Sequence, residues 1–424
     1  MKRFGLILAL AFPMLAFAHD VPDEVRIRAF LKPEGGQMRI LVRIPANALI
    51  DILFPTLPDS PWLDLNRAGG FAEEGARTWV APLVGLYEDD KRLLEPNVIA
   101  VRMTQMPDGD FATYEKALQH IHRDRSSGDG LFTQDEAAVD VELSTPIRSE
   151  LSNFSIEPRF ARVGVRVTTS LAFLRRAGGI RQFEFEGDPE RVYLDPGAAD
   201  AILRFFREGY RHLFSANDYL LFLLSLGLVC RTARQLARFT ILMVLSQSVA
   251  FLGAAFGLWI SSPWAESLWG VLVAATVVYA GFEAIARQAS QRTQAVVGIV
   301  SGLIFGTGYW FAFRPEMQFG GTHKLASVLA FDGGIQTVQV CILVVSAAAT
   351  TLVLRLTRAP EVASIVCGAI VLRISWHHML DRARVLSMST VVRPVLTPAV
   401  VTAIAIISFL AILTAYANRW KRST

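Results

Sequence analysis

The chain has 424 residues, 52% of them hydrophobic, and a mean hydropathy of +0.37, too oily for a soluble protein of this length, so a membrane protein is expected. The net charge of +4 divides unevenly, because residues 19–200 carry 30 acidic against 21 basic side chains, a net of −9 that leaves +13 for the rest. An acidic front half excludes a nucleic-acid surface there.

Lys2 and Arg3 precede an apolar run from Phe4 to Leu15 that closes on Ala16-Phe17-Ala18. This is the pattern of a cleaved secretory leader over residues 1–18, and the run is too short to span a bilayer. The exported segment that follows contains no cysteine, since Cys230, Cys341 and Cys367 all fall in apolar stretches. Disulfides are therefore not expected there, and the cysteines are expected to pack as small apolar residues.

Residues 19–197 are expected to form a periplasmic, mainly-β, sandwich-like domain. Val25-Arg26-Ile27-Arg28, Arg39 to Ile44, Val139 to Leu143 and Val163 to Val167 alternate apolar and polar residues, as half-buried strands do. Residues 57–130 break that rhythm, and Asp110 to Arg123 read as a helical insertion. The segment Asp124 to Glu136 partly matches a calcium loop, with Asp129, Thr133 and Glu136 at ligand spacings, but Arg125 stands at the first ligand position. A solvated acidic loop is the plainer expectation.

Residues 198–214 interleave Ile202, Leu203, Phe205, Phe206, Tyr210 and Leu213 with Arg204, Arg207, Glu208 and Arg211. That pattern suits an amphipathic helix at the lipid headgroups. Seven apolar segments are then expected within 215–418: 216–230, 239–260, 264–285, 295–313, 325–354, 361–380 and 396–416, with a basic tail at 419–424. A removed leader and an odd number of spans leave the C-terminus inside. Ten arginines and lysines fall in the expected inner loops and tail against five in the outer ones, as the positive-inside rule requires. The expectation is a bacterial inner-membrane protein with a periplasmic front domain and a cytoplasmic C-terminus.

Ionisable residues inside spans cost about 2.5 kcal/mol or more each, so they mark candidate sites. Asp218, Glu266, Asp332, Arg373 and His377 fall on the expected outer side, and Glu283 on the inner side. Asp332, Gln336 and Gln339 form a stripe at i, i+4 and i+7, while Arg373, His377 and Asp381 form another at i, i+4 and i+8. Two readings stay open: Arg373 neutralises the carboxylates and the network holds the bundle, or Asp218, Glu266, Asp332, His377 and His212 bind a cation. A proton path or lipid-headgroup site is a further alternative.

Several residues in order carry a family resemblance: His212, Ala216, Asp218-Tyr219 and Leu221-Phe222; Gln247-Ser248; Glu266 and Glu283; Phe305-Gly306; Phe331-Asp332, Gly334, Gln336 and Gln339; then Trp376-His377-His378 and Asp381-Arg382. From about residue 205 to 390 the chain resembles the HupE/UreJ family of hydrogenase and urease accessory membrane proteins, regarded as nickel permeases. The resemblance implies a divalent transition metal, nickel or similar, and a transport or metallocentre-accessory role. Three histidines of the family pattern are here Tyr219, Gln247 and Phe305, and one carboxylate is Gln336. Nickel-type ions favour imidazole nitrogen, so the ligand set is altered.

The alternative function is a non-transporting anchor that displays the exported domain to a periplasmic or membrane protein partner. A membrane metallohydrolase is a third reading. No nucleophile constellation, phosphate loop or HExxH helix supports an enzyme.

Overall fold

The computed structural model describes residues 24–49, 51–123, 130–176, 178–230, 232–258, 263–286, 290–356 and 360–388. The expected leader, the first half of the acidic loop and the expected seventh span at 396–416 lie outside them. The chain divides into two compact units, residues 1–196 and 197–424.

The first unit is built on two sheets. Strands β1 (Glu24–Glu34), β2 (Gln37–Pro45), β5 (Asn97–Gln105), β6 (Ala137–Pro146), β8 (Arg166–Leu174) and β9 (Ile180–Glu186) form one, in the order β5-β6-β2-β1-β8-β9. Strands β3 (Val84–Glu88), β4 (Lys91–Arg92), β7 (Phe154–Pro158) and β10 (Val192–Tyr193) form the other, in the order β10-β7-β3-β4. All pairings are antiparallel except β1 with β8. Phe154 of the small sheet meets Phe173 of the large one edge-on at 6.4 Å, so apolar side chains from both sheets pack together. The strand expected from Val163 begins later. Phe160–Val163 is a 3-10 turn, and Gly164 follows it where a Cβ would stand 2.6 Å from a Val25 methyl carbon.

Alternation in β2 and β6 does not mean one face in water. Ile40, Val42, Ile44, Val139, Val141 and Leu143 are fully buried on one side, but Arg43, Asp140 and Glu142 on the other are also buried. The short helix α2 (Tyr114–His122), which follows α1 (Leu65–Gly75) in the chain, covers that second face. Its Tyr114, Ala117 and Ile121 pack with Phe30, Leu41, Phe111 and Ala172. The helix expected over 110–123 is therefore present but shorter, with Thr113 as its N-cap accepting from Lys116 N. Beneath it the register sets Arg43 opposite Asp140, and Asp140 opposite Arg102.

Thr133 and Glu136, two residues of the partial calcium pattern, satisfy each other instead. Glu136 Oε2 accepts from Thr133 N (3.0 Å) and from Thr133 Oγ1 (3.1 Å), which closes a capped turn.

The second unit is helical: α3 (Ala198–Ser215), α4 (Asn217–Val229), α5 (Ala233–Ala255), α6 (Pro263–Ala286), α7 (Gln291–Glu316), α8 (Lys324–Leu356) and α9 (Pro360–Ser387). The last five are each long and apolar enough to cross a membrane, and α3 with α4 forms a pair bent by 74° that counts as one further span. About five to six spans are thus present among the described residues.

Glycines set the helix contacts. A Cβ on Gly302 would lie 2.3 Å from Met243 O, one on Gly306 2.1 Å from Gln247 O, and one on Gly298 3.4 Å from Phe239 O. The offset between partners is the same at all three, so α5 and α7 run parallel and in register with backbones touching. Gly209 and Gly334 do the same for α3 against α8, at 2.1 Å from Phe331 O and 2.2 Å from Phe206 O. Helix α3, expected to lie along the headgroups, buries Phe205, Gly209 and Leu213; its Gly209 sits directly on α8.

Candidate functional site

The break between α3 and α4 at Ala216 produces the site. Helix α3 ends as Ala216 N bonds back to His212 O (3.1 Å), and α4 restarts with Asn217, placing Asp218 in its first turn. A carboxylate there faces the positive pole of the helix. Asp218 is 3% exposed.

Two side chains one turn apart on α9 hold it. His378 Nδ1 donates to Asp218 Oδ1 (2.6 Å), and Arg382 Nη2 lies 2.5 Å from Oδ2. Arg382 reaches it across α6, where Gly270 leaves room: a Cβ there would stand 3.0 Å from Arg382 Nη1. The partner side chains are much more open than Asp218, at 39% for His378 and 46% for Arg382.

A cavity of about 350 Å³ opens beside this group, lined by His212, Asp218, Tyr219, Glu266, Tyr309 and Arg382 among others. Glu266 stands exposed near the start of α6. His212 is set edge-on against Tyr309, ring centres 5.6 Å apart, and beside Phe331 at 6.0 Å. Three of the five residues expected to bind a cation, Asp218, Glu266 and His212, therefore share one cavity, with Arg382 as the basic neighbour.

The other two lie elsewhere. Asp332 on α8 accepts from Ser248 Oγ (2.6 Å) on α5 and from Gln336 Nε2 (3.2 Å), so the Asp332–Gln336 stripe joins α5 to α8. His377 accepts from Arg373 Nη1 (2.7 Å) on the exposed side of α9, where Asp381 pairs with Arg384 at 3.2 Å. The stripe Arg373–His377–Asp381 is thus turned away from Asp218. The inward stripe is one residue on, and it contains His378, which charge-spacing alone did not select. An acid–arginine partnership is expected from the sequence, with Arg373 and Arg382 both candidate partners, and it is Arg382 that pairs with Asp218. Trp376 is half-buried on α9, and Glu283 sits near the end of α6, 17 residues and about 25 Å of helix from Glu266.

Beneath the cavity the packing is aromatic and amide. Tyr219 lies 4.3 Å from Phe305 and 5.5 Å from Tyr309, centre to centre. Its Oη is 3.0 Å from Gln247 Oε1 and 2.5 Å from Gln339 Oε1; with one proton, it donates to one of these at a time. Both glutamines are fully buried. Tyr219, Gln247 and Phe305 therefore fill their space with one another. Among the described residues no group of three or more His, Cys, Asp or Glu is placed to hold a metal ion. The donors do not fit a tightly ligated nickel-type ion.

Residues 189–382 match a family model described as HupE / UreJ protein. No curated protein matches the chain.

Proposed function

We propose, for a chain that belongs to the HupE/UreJ family through residues 189–382, that it serves metal uptake or a metallocentre-accessory role through an altered cavity. The family is associated with nickel or cobalt uptake or accessory roles. Here the cation would be met by the carboxylates of Asp218 and Glu266 and the imidazole of His212, and not by an imidazole cage. Oxygen donors in an open cavity leave an ion part of its water shell, which favours passage over storage. Arg382 and His378 act as internal counter-groups that occupy Asp218 between cations.

The observation that carries this reading is Asp218 itself: a carboxylate 3% exposed, at a helix start, bordering a 350 Å³ cavity. Burying a charge in a bundle is costly, and such residues are kept where they act. We further propose seven spans, with 396–416 as the last, and an inner-membrane topology that puts this cavity on the periplasmic side, with the β domain exported. The leader pattern and the ten-to-five basic asymmetry support that orientation.

Uptake of radiolabelled nickel and cobalt by cells expressing the protein tests the proposal. Uptake above the empty-vector level is expected, reduced about tenfold or more by Asp218→Asn. Wild-type cells indistinguishable from the vector control, together with purified protein that carries no nickel, cobalt, zinc or copper, would reject it.

One observation favours a second reading, the non-transporting anchor. The Tyr219–Phe305–Tyr309 cluster and the buried Gln247–Gln339 pair close the space below the cavity. If that closure is permanent, a specific partner should co-purify from native membranes in mild detergent, and recovery of the chain alone counts against it.

A further inference from the structure

We propose that the end of the bundle opposite the Asp218 cavity holds a phosphate-bearing anion between α5 and α7, with the headgroup of an anionic phospholipid as the occupant its surroundings favour. A second cavity, about 620 Å³, lies there, and Arg234, Arg238, Gln235, Gln291 and Gln294 are among its lining. Helix α7 runs from this cavity to the other one: Gln291 lines the first, and Phe305 to Ala312 the second.

The case rests on unbalanced positive charge around a concave space. Arg234 and Arg238 are four residues apart on one face of α5, an arrangement in which like charges repel. Among the described residues no acidic side chain lines the cavity and neither arginine has an ion-pair partner. The glycine contacts at 298, 302 and 306 add to this, because they press α5 and α7 together in parallel and bring both helix starts to the same place. Among the described residues, Thr232 caps the N–H of Gln235 and Ser290 that of Thr293. The remaining first-turn donors, with the positive poles of two helices, point the same way as the arginines. Guanidinium forks and amides are the donors that suit phosphate oxygens.

The flanks point to a lipid source. Ile241 and Leu245 on α5, and Val296, Ile299 and Val300 on α7, are exposed apolar side chains within two or three turns of the cavity. They give acyl chains a surface to lie on while the headgroup enters the polar space. Ordinary positive-inside residues would supply the charge without the cavity or the converging helix starts.

The test uses the full-length protein in neutral detergent. Thermal stability and native mass spectrometry are read with phosphatidylglycerol, with phosphatidylcholine, and with inorganic phosphate, for the wild type, Arg234→Gln/Arg238→Gln, Arg234→Lys/Arg238→Lys and the far-end control Arg314→Gln. Phosphatidylglycerol should bind and stabilise the wild type over phosphatidylcholine. The double Gln variant should bind it about thirtyfold more weakly, the Lys variant should keep most of the affinity, and Arg314→Gln should match the wild type. Stabilisation by inorganic phosphate alone, lost in the double Gln variant, would keep the site and assign it a soluble phosphate. Equal response to both lipids with none to phosphate, or a double Gln variant that binds phosphatidylglycerol as the wild type does, would overturn the proposal. A double Gln variant that does not fold leaves the lipid preference of the wild type and of the Lys variant to decide.

Discussion

Asp140 of the β domain and Asp218 of the helical bundle are both carboxylates at or below 3% exposure facing an arginine, yet they are held in opposite ways. Asp140 receives Arg43 through two parallel bonds, Nε to Oδ1 at 2.6 Å and Nη2 to Oδ2 at 2.7 Å, and Thr104 Oγ1 donates to it at 3.1 Å. Arg43 Nη1 continues to Asp108 (2.5 Å), Thr104 Oγ1 meets His120 Nε2 (2.8 Å), and His120 Nδ1 lies 2.9 Å from Asp110. Most donors and acceptors answer each other under the cover of α2, the buried Asp108 Oδ2 excepted. Asp218 has two partners, both substantially open to their surroundings, and a cavity beside it. A closed network fixes a fold, whereas an open one leaves its partners free to withdraw and lets another cation compete for the carboxylate. The difference separates a structural carboxylate from a candidate site although the pair chemistry is the same.

The sharpest way to break this contrast is Asp140→Ala. It leaves the Arg43 guanidinium, whose side chain is only 10% exposed, with Asp108 as its remaining carboxylate, and loss of one partner of a buried pair costs about 3–5 kcal/mol. Denaturant unfolding followed by near-UV circular dichroism should show the β domain melting early while the far-UV helical signal persists. A loss under about 1 kcal/mol would mean that the network is not closed in solution.

Asp218→Asn should cost less, about 1.5–2 kcal/mol. An arginine 46% exposed recovers solvation when its partner is lost, and the amide keeps the shape of the site. Thermal unfolding in detergent measures this, and a penalty equal to that of Asp140→Ala would place Asp218 among the structural carboxylates. The two substitutions together turn the comparison into a ratio.

Much of this was legible in the sequence because period is a strong signal. The strands around 25–28, 39–44 and 139–143 stand where alternation puts them. The helices follow the apolar segments, and the change of period near Pro196 coincides with the division of the chain at 196. The face of each helix was less legible. Arg373, His377 and Asp381 share a stripe by spacing, but spacing does not say which stripe faces a neighbour; the contacts of Gly270 and Gly281 with Arg382 and Leu372 turn α9 so that His378 and Arg382 look inward. Asp332 fell in the right span and still belongs to a different contact, because Ser248 reaches it from α5. In the β domain, Arg43 and Asp140 read as solvent-facing positions of alternating strands. The helix that covers them lies some 70 residues after β2 in the chain, and no local pattern announces such a cover.

Acid offers the gentlest probe of the comparison. Burial pushes the Asp108 carboxyl up, but Arg43, through its hydrogen bond and charge, outweighs this and holds it below the usual carboxylate range. Against the opposing effect of burial, Asp140 first and Asp108 second raise Arg43, which stays charged at any working pH. Glu88 is also lowered, since the backbone N–H groups of Arg148 and Ser149 (both 2.9 Å) outweigh its burial. A carboxylate whose folded pKa is depressed contributes stability that is whole above its unfolded value, about 3.9 for Asp and 4.3 for Glu. That contribution is lost as pH falls through the folded value, because the unfolded chain binds more protons. The β domain should therefore hold its stability from pH 7 to about 5 and lose it progressively below about 4. Asp108→Asn should cost about 1 kcal/mol at neutral pH and make that acid slope shallower. Denaturant midpoints of the β-domain transition, taken between pH 3 and 7 for wild type and variant, give both quantities. Parallel slopes would remove Asp108 from the closed network and leave Asp140 as its only tested acid.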